Sequence, residues 1–155
     1  HKQETPPRGY AFADLVVEPA LTARVYAVHL KSNYAAKTEE AAALNRAKRA
    51  HSVTQLVKQS RKTSHVIIAG DLNADKWNKK FSREKIFDLL ESAGYINLLE
   101  RLPPGGRGTH PSKRHGDSAL DYIMTKGFLA VGKPYIMPNA GISDHNALFS
   151  LIKPE

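Results

Sequence analysis

Four short segments of this 155-residue chain bring together the residue types that do hydrolytic chemistry. They are Val28-His29-Leu30-Lys31-Ser32, Gly70-Asp71-Leu72-Asn73-Ala74-Asp75, Leu120-Asp121-Tyr122-Ile123 and Ser143-Asp144-His145. Asp and Asn oxygens suit a hard cation such as Mg²⁺, which prefers oxygen ligands and keeps several waters. An imidazole held by a carboxylate is fixed in one tautomer and strengthened as a base. A cation, a positioned water and groups that take and give protons are what phosphodiester hydrolysis requires. Taken singly, each segment has a plainer reading. His29 reads as a satisfied strand histidine, 70–73 as a turn, Asp121 as a strand-edge acid and 143–145 as a turn cap. All four together favour the chemical reading.

Such residues need a scaffold that sets them at strand ends. Tyr10 to Glu18 and Ala23 to Leu30 are β-rich runs separated by Pro19, which predicts an antiparallel pair. From about Ala36 to Lys62 the composition turns helical, and Ala43, Ala47, Ala50, Val53 and Val57 mark its expected buried stripe. Arg46, Lys48 and Arg49 are then expected on its solvent face. His65 to Ala69 predicts a strand that ends at Gly70-Asp71, and Arg83 to Ala93 a second helix closed by Gly94. Pro103 to Ser118 is a long Gly/Pro/basic loop, a length usually tied to function or disorder. Ala119 to Thr125, Leu129 to Met137 and Ala147 to Ile152 complete the strands. The order predicts an α/β (α+β) fold: a mixed, mainly antiparallel sheet with helices packed on one face. Residues 1–9, with Pro6-Pro7, read as a flexible lead-in to a single domain over 10–155. The chain opens on His1 rather than Met, so an upstream start, with or without a leader, is expected.

The bulk numbers narrow the partners. Hydrophobic residues make up 41% and charged residues 25%, as in ordinary globular proteins. No apolar run approaches the roughly 18 residues of a membrane span, so no membrane partner is expected. Zero cysteines exclude disulfides and thiolate metal sites. A net charge of +8 attracts polyanions, with nucleic acid the default partner.

These four segments, in this order, resemble the C-terminal half of the endonuclease/exonuclease/phosphatase superfamily, the deoxyribonuclease I-like fold. The resemblance runs from the strand before His29 to the strand after His145, and it implies half of a four-layer α/β/β/α sandwich. By resemblance, His29 is the first catalytic histidine, a proton donor or phosphate ligand. Asp71 and Asn73 orient the attacking water and hold phosphate or metal. Asp121 hydrogen-bonds the second histidine, His145, which is the general base or transition-state stabiliser, and Asp144 is a metal ligand. The implied cation is Mg²⁺ or Mn²⁺, with Ca²⁺ a further candidate. Family members normally begin with another half, which supplies an Asn and a Glu at the metal and an acid that orients the first histidine. A second copy, or a partner chain carrying that half, is therefore an expected partner, because an unpaired sheet face would leave a large apolar patch.

Substrate contacts are expected at Asn33, Lys76, Trp77, Arg107, Lys113 and Arg114, with His110 and His115 on the same basic loop. Trp77, among lysines, reads either as a stacking platform for a base or sugar or as core packing. Asp75 reads as a solvated loop acid before a cation ligand. The leading expectation is a metal-dependent phosphodiesterase or endonuclease acting on DNA, with RNA also open. The alternatives are a phosphomonoesterase or lipid phosphodiesterase on the same scaffold, and an inactive nucleic-acid-binding half-domain. The pattern looks bacterial, and secretion is left open.

Overall fold

The computed structural model describes residues 9–34, 36–113, 116–139 and 141–155. Strands β1 (Tyr10–Glu18) and β2 (Leu21–His29) form the expected antiparallel hairpin, turning at Pro19. Helix α1 (Glu39–Ser60) crosses from β2 to β3 (Val66–Asp71), which pairs parallel to β2. Helix α2 (Ile86–Ser92) leads to a two-residue strand, β4 (Ile96–Asn97), that the sequence pattern does not reveal. Strand β5 (Asp121–Lys126) pairs antiparallel to both β3 and β4, giving one sheet in the order β1-β2-β3-β5-β4. Strands β6 (Phe128–Met137) and β7 (Ala147–Pro154) make a separate antiparallel pair. The fold is the mixed, mainly antiparallel α+β architecture expected.

One face of the five-stranded sheet carries the core. Tyr26 and Val28, Val66 and Ile68, and Tyr122 and Met124 meet Val53 and Leu56 of α1 and Ile86, Phe87 and Leu90 of α2. The β6–β7 pair joins this core through Ile136 and Leu148. Its other side chains, including Leu129, Val131, Tyr135, Met137, Phe149 and Leu151, are exposed, as are Phe12, Leu15 and Val16 on β1. No helix among the described residues is long and apolar enough to cross a membrane. The lead-in expected at 1–9 lies, apart from Gly9, outside the described residues.

Helix α1 begins where Thr38 Oγ1 accepts from the Ala41 amide, with Glu39 and Glu40 in its first turn. Its buried face differs from the expected stripe. Ala43 and Ala47 are exposed, and the inward positions are Asn45, Arg49, Val53, Leu56 and Ser60. The period is unchanged, but the first half of the face is rotated and polar. Arg49, expected in solvent, is fully buried. Its Nε donates to Glu84 at 2.9 Å, a second guanidinium nitrogen bonds the same carboxylate, and Nη1 donates to the Lys31 carbonyl and Asn33 Oδ1. Asn45 donates to the Ser32 carbonyl. These polar anchors hold the segment that follows His29, so the helix is oriented by that segment as well as by the apolar core.

Candidate active site

His29 ends β2, Asp71 ends β3 and Asp121 begins β5. Their registers are His29 opposite Asp71 and Asp71 opposite Asp121, so the three form one row across three strands. The adjacent row, Val28, Gly70 and Tyr122, belongs to the face covered by helices. By the two-residue alternation of strands, the functional row points to the opposite face. Gly70 is required in that adjacent row. It has φ of +133°, and a Cβ there would lie 2.1 Å from the Val28 carbonyl oxygen.

The turn after β3 aims Asp71. Asn73 adopts a left-handed φ of 51°, a conformation Asn tolerates. Its amide donates to Asp71 Oδ1 at 2.7 Å, and its side-chain nitrogen donates to Asp71 Oδ2 at 2.8 Å and to the Leu30 carbonyl at 3.0 Å. Asp71 is thereby tied, through Asn73, to the segment that follows β2. His29 Nε2 lies 3.5 Å from Asp71 Oδ2, which sets an acid at the imidazole. Burial raises the Asp71 pKa above the usual carboxylate value; the Asn73 amide opposes this, and the nearby Asp121 charge adds to it.

His145 enters from the loop before β7. Its Nδ1 donates to Asp121 Oδ2 at 2.6 Å, leaving Nε2 as the ring's other nitrogen. Burial works to lower the His145 pKa, but the hydrogen bond and charge of Asp121, with Asp71 and Asp144 further off, carry it above the ordinary imidazole value. Thr109, fully buried, organises this corner. Its hydroxyl accepts from the amides of Leu120 and Asp121, each at 3.0 Å, and its carbonyl accepts from the Asn146 amide at 2.7 Å. Asn146 also donates from its side chain to the Gly108 carbonyl. These bonds zip the long loop to the segment that carries His145.

The result is an open cleft of about 710 Å³ lined by His29, Asp71, Asn73, Asp121, Asp144 and His145, together with Ser32, Tyr34, His110 and Leu120. All six residues singled out for chemistry thus meet. Asn33 lines an adjoining groove and accepts a bond from Arg49. Lys76 is turned to Glu91 and Glu100. Trp77 stacks on Tyr122, with the Arg107 guanidinium 4.1 Å above its ring. Arg107 itself donates to the Leu102 and Glu100 carbonyls. Lys113 is exposed on the loop, and Arg114 and His115 lie outside the described residues. Asp75 corrects its expectation: it is buried, accepting from the amides of Trp77 and Ala119.

Sequence reasoning overlooked Thr109, Asn146 and Tyr34. Asn146 directly follows the Asp-His pair, and that adjacency is the signal that could have found it. Thr109, in an aperiodic loop, gives none.

The oxygen donors expected for Mg²⁺ line the same cleft. Asp71 is engaged by Asn73 and Asp121 by His145. Among the described residues, the side chains with metal-ligand spacing are His110, Asp144 and His145. Two imidazoles and one carboxylate fit a hard, oxygen-seeking cation poorly.

Residues 4–145 match the model of the Endonuclease/Exonuclease/phosphatase family. Among solved structures, the chain is similar to an endonuclease/exonuclease/phosphatase from Beutenbergia cavernae, at 16% identity over 95% of this chain and 39% of that one, with TM-score 0.72. It is similar to a family protein from Leptotrichia buccalis at 14% identity over 93% and 52%, with TM-score 0.66. A 3′ phosphatase from Neisseria, bound to a product DNA hairpin, matches at 16% identity over 95% and 71%, with TM-score 0.69. At these identities the likeness shows the fold. The chain spans about half the length of the first two. No curated protein matches it.

Proposed function

This chain belongs to the endonuclease/exonuclease/phosphatase family, and we propose on that premise that it cleaves phosphodiester bonds in DNA with little sequence preference. The family's enzymes hydrolyse phosphoester bonds and are generally dependent on divalent metals. The observation that carries the reading is the row His29, Asp71, Asp121 with His145 held over it by Asp121.

In that arrangement Asp71, whose burial raises its pKa, serves as a base for a water that Asn73 helps to orient. His145, held by Asp121, stabilises charge developing on the phosphate. His29 faces the same phosphate and serves the leaving oxygen. A divalent cation in such enzymes supplies charge neutralisation at the phosphate.

Two features favour a polymer over a small phosphoester. The net charge is +8. The cleft also continues through Ser32, Tyr34, Asn73 and His110 into a groove lined by Asn78, Lys80 and Ser112. Beyond Asn78 lies a further cleft with Trp77, Lys79 and Arg107. That path suits an extended strand whose phosphates meet cations beyond the reacting one.

The test is nicking of supercoiled plasmid by the chain with Mg²⁺, Mn²⁺ or Ca²⁺, with and without EDTA, alongside phosphate release from sugar phosphates. The reading expects metal-dependent nicking abolished by His145→Ala. Phosphate release without nicking would move the assignment to a phosphomonoesterase. DNA binding without cleavage under every metal would make this a binding module.

A further inference from the structure

We propose that His110, Asp144 and His145 form a binding site for a Zn²⁺ ion, distinct in chemistry from the hard-cation chemistry expected of this cleft. Each offers one donor atom, and the three atoms lie within 4.8 Å of one another. A tetrahedral zinc with nitrogen ligands at ~2.0 Å sets donors roughly 3.3 Å apart, so the side chains must close by up to roughly 1.5 Å. Asp144 is exposed and the two imidazoles are half-buried, which leaves the carboxylate room to swing.

The imidazoles are already arranged for this. Asp121 takes the Nδ1 proton of His145 and so presents Nε2 as the ring's lone-pair donor. A carboxylate behind a ligating histidine is the usual way a metal site fixes its ligand and raises its basicity. His110 stands edge-on to His145, with ring centroids 4.8 Å apart at 66°. It is held there from two sides. Its backbone bridges to Ser118, and its neighbour Thr109 is bonded to Asn146, next to His145.

The donor set chooses the ion. Two nitrogens and one carboxylate match zinc's borderline preference, and three protein ligands leave a fourth position open to solvent. Mg²⁺, which demands oxygens in octahedral array, is a weak competitor for such a set. Zinc ligation consumes the His145 lone pair and fills the space over Asp121, so the zinc-bound chain is silent as a hydrolase. That consequence rests on the role proposed for His145; the site itself does not.

The experiment is calorimetric titration of chelator-stripped chain with ZnCl₂ against a background of millimolar Mg²⁺. One ion per chain is expected, with Mg²⁺ failing to displace it. His110→Ala and Asp144→Asn should each weaken binding by roughly tenfold or more, since loss of even an outer partner of a ligand costs about that much. His110→Phe separates ligation from packing, because it keeps a ring against His145 but carries no nitrogen. It should bind zinc as poorly as His110→Ala, with its metal-free melting temperature unchanged. His51→Ala, on the exposed side of α1, should bind as the parent does. Zinc binding that His110→Phe leaves intact, or that millimolar Mg²⁺ reverses, would overturn the proposal. Neither result depends on hydrolytic activity, so the site and the proposed function fail separately.

Discussion

Replacing Arg49 by Met should unfold much of this chain's stability margin. The Arg49 and Glu84 side chains are 0% and 1% exposed, and the guanidinium is the Glu84 carboxylate's hydrogen-bonding partner. Glu84 Oε1 has no hydrogen-bond partner among the described residues. Met keeps the length of the stem but strands a carboxylate in the core, and breaking a buried pair from one side costs ~3–5 kcal/mol. Against a typical total of ~5–15 kcal/mol, that is a large fraction. With a urea slope of about 2 kcal/mol/M, the unfolding midpoint should fall by roughly 2 M. Removing both charges together, as Arg49→Met with Glu84→Met, should restore most of the loss, because the cost lies in the stranded charge. Urea unfolding followed by circular dichroism measures both variants. A single variant within about 1 kcal/mol of the parent would refute the reasoning. So would a double variant as unstable as the single one, which would place the loss in the ties to Lys31 and Asn33.

Other outcomes follow from the site and the surface. Asp121→Asn removes the charge that helps raise the His145 pKa, so in chelator-treated protein the imidazole should titrate at lower pH, read by NMR. The sign for stability is set by the raised folded pKa. The pair's contribution is full below the unfolded value of about 6.5 and is lost as pH rises through the folded value. Asp121→Asn should flatten that slope in urea melts taken across the same window. Thr109→Val keeps the shape but leaves the Leu120 and Asp121 amides without their acceptor, costing about 2 kcal/mol in the same melts. The exposed apolar side chains of β1 and of the β6–β7 pair should drive self-association, so sedimentation at micromolar concentration should give more than the mass of one chain. A clean monomer would refute that.

Much of the site was legible because its residues sit where local patterns change. His29 and Asp71 end apolar runs, Asp121 begins one, and Asp144-His145 precedes the last. The strand registers then place the first three in a row. What stayed hidden depends on partners distant in sequence. Arg49 reads as a solvent-facing cation because its partner, Glu84, is 35 residues away. The same blindness turned the first half of α1 by the wrong positions, since Asn45 and Arg49 are buried through polar bonds that hydrophobic periodicity does not register. Asp75 reads as a solvated loop acid because its acceptor role is completed by the Ala119 amide, on the approach to β5. Thr109 carries no pattern at all, yet its hydroxyl ties the long loop to the start of β5 and its carbonyl ties it to the segment that carries His145.

The central claim is that one cleft gathers the imidazoles and carboxylates of four separate segments around a phosphate. Titrating the ¹⁵N-histidine-labelled chain with a non-hydrolysable dinucleotide phosphodiester analogue, followed by NMR, tests it directly. The account predicts saturable shifts at His29, His110 and His145, with His51 and His65 unmoved. Shifts at His51 or His65 in place of the cleft histidines, or no saturable shift at all, would contradict it.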